Sequence, residues 1–453
     1  MQSGYWRKYI NDCVCAESCS VMEEKMKLVI ERRSLKTLAV MLIYKGMLDY
    51  TYLVLISDLF SYMGMEKDVN VLKITASYIL LIILWLVTPI GKYKIFDIFV
   101  NIQLLLMLIP MLTIYGAVDG DTEYLLMVLG CYVIQCLCCM VHKEHAAVTV
   151  NKVNLEINSF LLLVATAVVC ICILVFGIPS LTALNITRVY EVRTEYVIQF
   201  PLNYLVSWCT KIIIPLGFVL SLEDKKYGKV FLYGGLQLVL YLSFAHKTYL
   251  FLIMLAGAVW FVSKKRWLYQ ALYAVFPIGV IGSALIYKGM GNMLAISYFT
   301  RRVLIVPAFL KFKYYEYYSV HPKAYFYNSI IGKIFGLESQ YEKSTAEQIG
   351  AYMGSPDVMA NTGYLGEGYA QGGYFVLIIM SLFFIVICKM CQLKKNVNMN
   401  IFLTMFVLWF YTLNDVAMQT SLVTGGGLFL IFIFLVWPER RKLYGEIVTS
   451  APK

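Results

Sequence analysis

Four polar clusters interrupt a largely apolar chain, and each holds side chains that can act on a charged or hydroxylated substrate. The first gathers Arg188, Tyr190, Glu191, Arg193, Glu195 and Tyr196 within nine residues. A guanidinium is planar, stays ionised at any working pH and binds two phosphate oxygens at once, so this cluster can hold a diphosphate or a sugar. The same spacing fits a solvated loop in which Arg and Glu neutralise one another. The second cluster is Ser243-Phe244-Ala245-His246-Lys247-Thr248. Ionisable groups at membrane depth cost about 2.5–3.5 kcal/mol, which favours a functional role for the His-Lys pair. Histidine exchanges protons near neutral pH, and lysine binds an anion or snorkels to headgroups.

The third cluster is Arg301-Arg302, then Pro307, the run Lys311-Phe312-Lys313-Tyr314-Tyr315-Glu316-Tyr317-Tyr318, and His321 with Tyr325. It reads as an amphipathic surface helix with a tyrosine belt at headgroup level, or as a platform where Tyr314 and Tyr315 stack on sugars while the arginines hold a phosphate. The fourth runs from Asn361 to Gly373, with glycines at 363, 366, 368, 372 and 373. These permit close backbone approach, so an ordered turn or helix is expected, and Asn361 is a candidate polar contact to substrate. Glu367, its only carboxylate, serves as a base or simply faces water.

The elements that must position these clusters follow from composition. The 453 residues are 60% hydrophobic and 15% charged, with mean hydropathy +0.69, which excludes a large soluble enzyme domain. Each bilayer crossing needs about 20 apolar residues. Apolar runs at about 37–60, 71–90, 95–115, 123–141, 158–177, 202–222, 229–244, 248–263, 267–287, 373–390, 398–413 and 424–437 predict an all-α polytopic protein of about twelve spans. The expected organisation is a cytoplasmic tail at 1–34, spans one to nine within 35–287, a long outer-face segment with amphipathic helices at 288–372, spans ten to twelve within 373–437, and a cytoplasmic tail at 438–453. No cleavable signal peptide is evident in the polar first 34 residues.

The net charge of +11 raises a nucleic-acid partner, but position argues for topology. On this span assignment 24 of the 39 Lys and Arg fall on one face, which the positive-inside rule makes cytoplasmic, with both termini there. The four clusters then lie on the opposite face. The 12 cysteines lack metal-ligand spacing, and those inside apolar runs behave as small hydrophobes; reduced thiols are expected. Walker A, HExxH, GxSxG and zinc-finger patterns are absent, so no nucleotide-hydrolysing or metal cofactor is expected.

Taken in order, VYEVRTEY followed by PLNYLVSWCTKIIIP, SFAHKTYLF, RRVLIVPAFLKFKYYEYY and ANTGYLGEGYAQGG resemble the bacterial oligosaccharide repeat-unit polymerases, the O-antigen or capsule polymerase (Wzy-type) family. Ala245 stands where that family often has Gly. The resemblance implies a GT-C-like membrane glycosyltransferase in the bacterial cytoplasmic (inner) membrane, its site facing outward. It would move a growing glycan from undecaprenyl diphosphate onto the next lipid-linked repeat unit, without metal or nucleotide sugar, for O-antigen, capsule or exopolysaccharide synthesis. A chain-length regulator and a flippase are its implied protein partners.

The residues meet the demands of such a reaction. A departing lipid diphosphate gains negative charge, which Arg193 and Arg301, supported by Arg302, Lys247 and Arg188, would stabilise. The acceptor hydroxyl must lose a proton, for which His246, His321 and Glu367 are the candidates. The rival readings are a lipid-linked oligosaccharide flippase or other transporter, and an O-antigen-type ligase of the same fold. For a transport pathway the pointer is Lys45 with Asp49, one turn apart in the first span, where a buried ion pair is the simpler reading.

Overall fold

The computed structural model describes residues 35–91, 95–140, 157–179, 198–329, 332, 335–392 and 398–437, and all of their regular structure is helical. In the first half the helices are α1 Leu35–Leu59, α2 Val71–Val87, α3 Ile95–Ala117, α4 Thr122–Met140, α5 Ile157–Phe176, α6 Leu202–Glu223 and α7 Tyr227–Phe244. Then follow α8 Lys247–Lys264, α9 Leu268–Met290, α10 Met293–Val320, α11 Thr345–Tyr352, α12 Tyr364–Gln392, α13 Met399–Thr412, α14 Met418–Leu422 and α15 Gly427–Val436. Nine of the described helices are long and apolar enough to cross a membrane, and α2, α13 and α15 are shorter apolar helices. This is the build of a multi-pass membrane protein. Accordingly large apolar side chains such as Leu174, Phe231, Met254 and Phe375 point outward, where an aqueous surface would disfavour them. The central helix α3 is buried along its whole length.

Polar contacts between helix termini sort into two ends of the bundle. At one end Lys264 pairs with Glu223 at 3.3 Å, Ser263 meets Asn400 at 3.4 Å, and Lys229 donates to Ser159 at 2.8 Å. At the other, Asn70 donates to Asp119 at 2.9 Å and Lys247 to the Tyr298 hydroxyl at 3.3 Å. The helix α10 qualifies as a crossing helix by length and composition, which the expectation of an outer-face segment at 288–372 does not include. Its contacts run from the second end into the bundle, where Thr300 meets Ser283 of α9 at 2.6 Å. Arg301 lies 4.4 Å from the Phe60 ring just beyond α1, Lys311 bonds Asn414 just beyond α13, and Tyr314 donates to the Ala360 carbonyl at 3.1 Å.

Prolines shape the helices that carry the site. Proline lacks an N–H, so the carbonyl four residues earlier loses its helical partner and the preceding turn can widen. Wide π-type turns precede Pro110, Pro215 and Pro307, at Gln103–Leu108, Cys209–Ile213 and Ile296–Ile305. Two of these three turns carry cations, Lys211 on one and Arg301 with Arg302 on the other.

Close packing between α6 and α7 depends on Gly217, where a Cβ would fall 2.1 Å from Tyr233 Cζ. Tyr233 is fully buried and donates to the Asn158 carbonyl at 2.8 Å, so its ring cannot swing aside cheaply. Gly217→Ala is expected to destabilise the protein by about 1–3 kcal/mol, read as a lower melting temperature in detergent.

Candidate functional site

Two helix breaks bring the fourth sequence cluster against the turn between α13 and α14. Within α12, Gly372 (φ −172°, ψ 33°) and Gly373 (φ 64°, ψ −152°) end a short helix that begins at Tyr364. The positive φ at 373 is accessible to glycine and strains other residues. Gly363 sits so close to the turn that a Cβ there would lie 2.1 Å from the Leu413 carbonyl oxygen and 2.5 Å from that of Asn414. A Cβ on Gly366 would likewise come within 3.3 Å of Lys311 Cα.

This packing fixes Asn414. Its side chain donates to the Val303 carbonyl at 2.8 Å, the carbonyl that Pro307 leaves without a helical donor. Lys311 in turn donates to the Pro307 carbonyl at 3.1 Å, the Asn414 carbonyl at 3.0 Å and the Asn414 side-chain oxygen at 3.2 Å. The ammonium is fully buried and held only by neutral oxygens.

The next residue, Asp415, keeps solvent-exposed surface although protein surrounds it. The charges of Lys311 and Arg302 from α10 and of Lys211 from α6 act on it. Among the described residues none of them closes an ion pair with it. Burial pushes the Asp415 carboxyl up to about 6, against the opposing pull of Lys311, Arg302 and Lys211. A solvent-exposed carboxylate with a raised affinity for protons can accept one from a hydroxyl beside it.

A second feature occupies a different face of α10. A cavity of about 770 Å³ lies between that helix and the loops at 64–73 and 118–123, with Phe312 and Tyr315 among its walls and Asp121, Glu123, Lys313 and Glu316 as polar lining. Aromatic faces beside carboxylates are suited to stacking on sugar rings and accepting their hydroxyl hydrogen bonds.

The other expected site residues are dispersed. Arg188, Tyr190 and Arg193 lie outside the described residues. Arg301 donates to Ser297 Oγ at 3.0 Å and Met63 Sδ at 3.3 Å. Lys247 is exposed beside Tyr298, and His246 caps the start of α8 with its ring 5.3 Å from that of Tyr249. Ala245 makes the intervening turn with φ 52°, a left-handed conformation that costs a residue with a Cβ about 1–2 kcal/mol. His321 is exposed and stacks on Tyr317 at 4.0 Å. Tyr314 is buried, whereas Tyr315 reaches the cavity. Asn361 is exposed just before the short helix.

Glu367 is buried and accepts from Thr345 Oγ1 at 3.0 Å, Gln371 Nε2 at 2.7 Å and Gln419 Nε2 at 3.4 Å. It thereby ties α11, α12 and α14 together. Lys45 and Asp49 form the expected buried pair at 2.7 Å, and Tyr78 and Thr113 donate to the same carboxylate at 2.8 and 2.5 Å. Its acceptors are taken up by neighbours, so this network serves packing.

Sequence reasoning passed over Lys211 and Asp415. The available signal for the first was an ionisable residue inside an apolar run next to proline; for the second it was only a polar turn. No family model matches the chain, and no curated protein and no solved structure is detectably similar to it.

Proposed function

We propose that the protein is a polysaccharide polymerase that transfers a growing glycan from undecaprenyl diphosphate onto a lipid-linked repeat unit at the outer face of a bacterial cytoplasmic membrane. The observation that carries this reading is the solvent-exposed Asp415, a carboxylate on which the charges of Lys211, Arg302 and Lys311 act. In glycosyl transfer the donor C1–O bond breaks and charge builds on the departing diphosphate, which fixed cations in a partly dehydrated site stabilise more in the transition state than before it. The attacking hydroxyl loses its proton to Asp415. A single displacement needs no enzyme nucleophile, and the cations supply the charge stabilisation without a metal. The neighbouring cavity, with Tyr315 and Phe312, seats sugars of the repeat unit.

In this reading the bundle is a GT-C-like architecture of twelve spans with both termini cytoplasmic. The helix α10 lies along the outer surface, and a flippase and a chain-length regulator act beside the enzyme. The test is Arg302→Ala in cells that make the polymer. Chain growth should stop, and lipid-linked single repeats should accumulate on the outer leaflet. Accumulation on the cytoplasmic leaflet would replace the polymerase by a flippase, and transfer of single repeats to a foreign acceptor would replace it by a ligase.

A further inference from the structure

We propose that the groove between α9 and the first turns of α10 seats the isoprenoid tail of a polyprenyl diphosphate, with Lys247 holding its phosphate; this rests on the polymerase reading and gives the lipid carrier a place in the fold. The groove has a volume of about 530 Å³ and is walled by Gly279, Gly282 and Ile286 on α9 and by Leu294, Ala295 and Phe299 on α10. Two glycines shape it. A Cβ on Gly279 would lie 2.2 Å from Phe299 Cε1, so its absence lets that ring pack onto the α9 backbone, whereas a Cβ on Gly282 would meet nothing within 4 Å, which leaves an open notch. Ser283 also lines the groove, but its hydroxyl donates to the Val280 carbonyl at 2.9 Å and meets Thr300 Oγ1 at 2.6 Å. That hydroxyl is satisfied within the protein, and the wall it joins suits an apolar chain.

Beside Tyr298, another wall residue, the groove meets a cation. Lys247 donates to the Tyr298 hydroxyl at 3.3 Å and stands 5.2 Å from the centre of its ring. Lys247 is exposed and, among the described residues, closes no ion pair. Arg302 follows Tyr298 by four residues, about one turn further along α10, and is exposed as well. From Lys225 to Tyr315 the chain contains no Asp or Glu, so α7, α8, α9 and this part of α10 supply no carboxylate to neutralise these cations. An apolar groove that ends at unneutralised cations complements a lipid phosphate.

The choice among lipids follows from shape and charge. Moving a tail from the bilayer into an apolar groove gains no hydrophobic energy, because lipid chains are as apolar as the wall, so selectivity rests on packing and on the headgroup. One groove with one cationic end matches a lipid of one chain and one phosphate group. A phospholipid brings two acyl chains and would seat only one of them. Holding the tail lets binding energy from the non-reacting part of the substrate orient its sugar-bearing end, at the end of the bundle that carries the α7–α8 turn.

The test is retention of undecaprenyl diphosphate by the full-length protein, read by native mass spectrometry, for wild type, Gly282→Leu, Lys247→Ala and Gly235→Leu. Gly282→Leu fills the notch and should bind about ten-fold more weakly. Lys247→Ala should lose about five-fold, the worth of one cation beside an anionic headgroup. Gly235, on the exposed side of α7, has nothing within 4 Å of a Cβ, and its leucine variant should match wild type. Undecaprenol, which has the tail without the phosphate, should bind wild type and Lys247→Ala alike and Gly282→Leu more weakly. A second arm needs no variant: undecaprenyl diphosphate carrying a diazirine on its tail should label residues 279–286 and 294–299 of wild type on irradiation. Labelling confined to other segments, or undiminished retention by Gly282→Leu, overturns the groove and leaves the polymerase reading standing. Unchanged affinity of Lys247→Ala for the diphosphate overturns the headgroup assignment, and equal competition by phosphatidylglycerol replaces the isoprenoid by a phospholipid. Labelling of the groove in protein that does not extend lipid-linked repeats upholds the lipid site and removes the polymerase reading.

Discussion

Replacement of Asp415 by Asn is expected to lower glycan transfer by about 10²–10⁴-fold, the range typical for loss of a general base, while the lipid-linked donor still binds. The substitution is nearly isosteric, and Asp415 itself makes few of the contacts that hold its turn. Those belong to Asn414, through Val303 and Lys311, and to Gly363. The effect should therefore fall on the rate and not on the fold. The sign of the pH dependence follows from the raised carboxyl, because the ionised form is the base. Wild-type kcat/KM should rise with pH through about 6, and the variant should lose that limb. Extension of lipid-linked repeats by purified wild type and variant from pH 5 to 8 measures this. A variant that keeps the wild-type limb would move the base elsewhere. His246, His321 and Glu367 would return as candidates, although Glu367 is sealed by three donors and His321 lies on Tyr317 at the surface.

The helical scaffold was legible in the sequence because crossing a bilayer demands long apolar runs with charge at their ends. Each of the twelve apolar runs corresponds to a helix, although α2, α7, α13 and α15 are not among the nine described helices long and apolar enough to cross, and α10, which is, matches none of the runs. The site was much less legible, because which face a side chain occupies depends on local helix geometry. Arg301 and Arg302 are adjacent, yet a helical step and a wide turn send one toward Phe60 and leave the other exposed. Lys311 and Lys313 look alike within an aromatic run, yet the first is buried against Asn414 while the second pairs with Glu316 at 2.7 Å on the cavity side. Nothing local distinguishes Asp415 from an ordinary polar turn residue. It becomes part of a site only because glycines some fifty residues earlier let a helix pack against its turn.

That dependence makes Gly363→Ala the most demanding test of the geometry. The new Cβ would overlap the Leu413 and Asn414 carbonyl oxygens, at 2.1 and 2.5 Å. These are backbone atoms, and Asn414 is anchored by its bonds to Lys311 and Val303, so no flexible side chain can yield. Either the short helix or the turn must move. A displacement of about 1 Å at a reacting group can cost about 10²-fold in rate, and overpacking typically costs about 1–3 kcal/mol in stability. Gly363→Ala should therefore lose activity on the scale of Asp415→Asn and, unlike it, also lower the melting temperature. The control is Gly234→Ala on α7, where a Cβ would meet nothing within 4 Å. There the alanine should be neutral or stabilising by up to about 1 kcal/mol, because it favours the helix over glycine. If Gly363→Ala matched that control in both rate and melting temperature, the turn could not be packed as described, and the placement of Asp415 would fall with it.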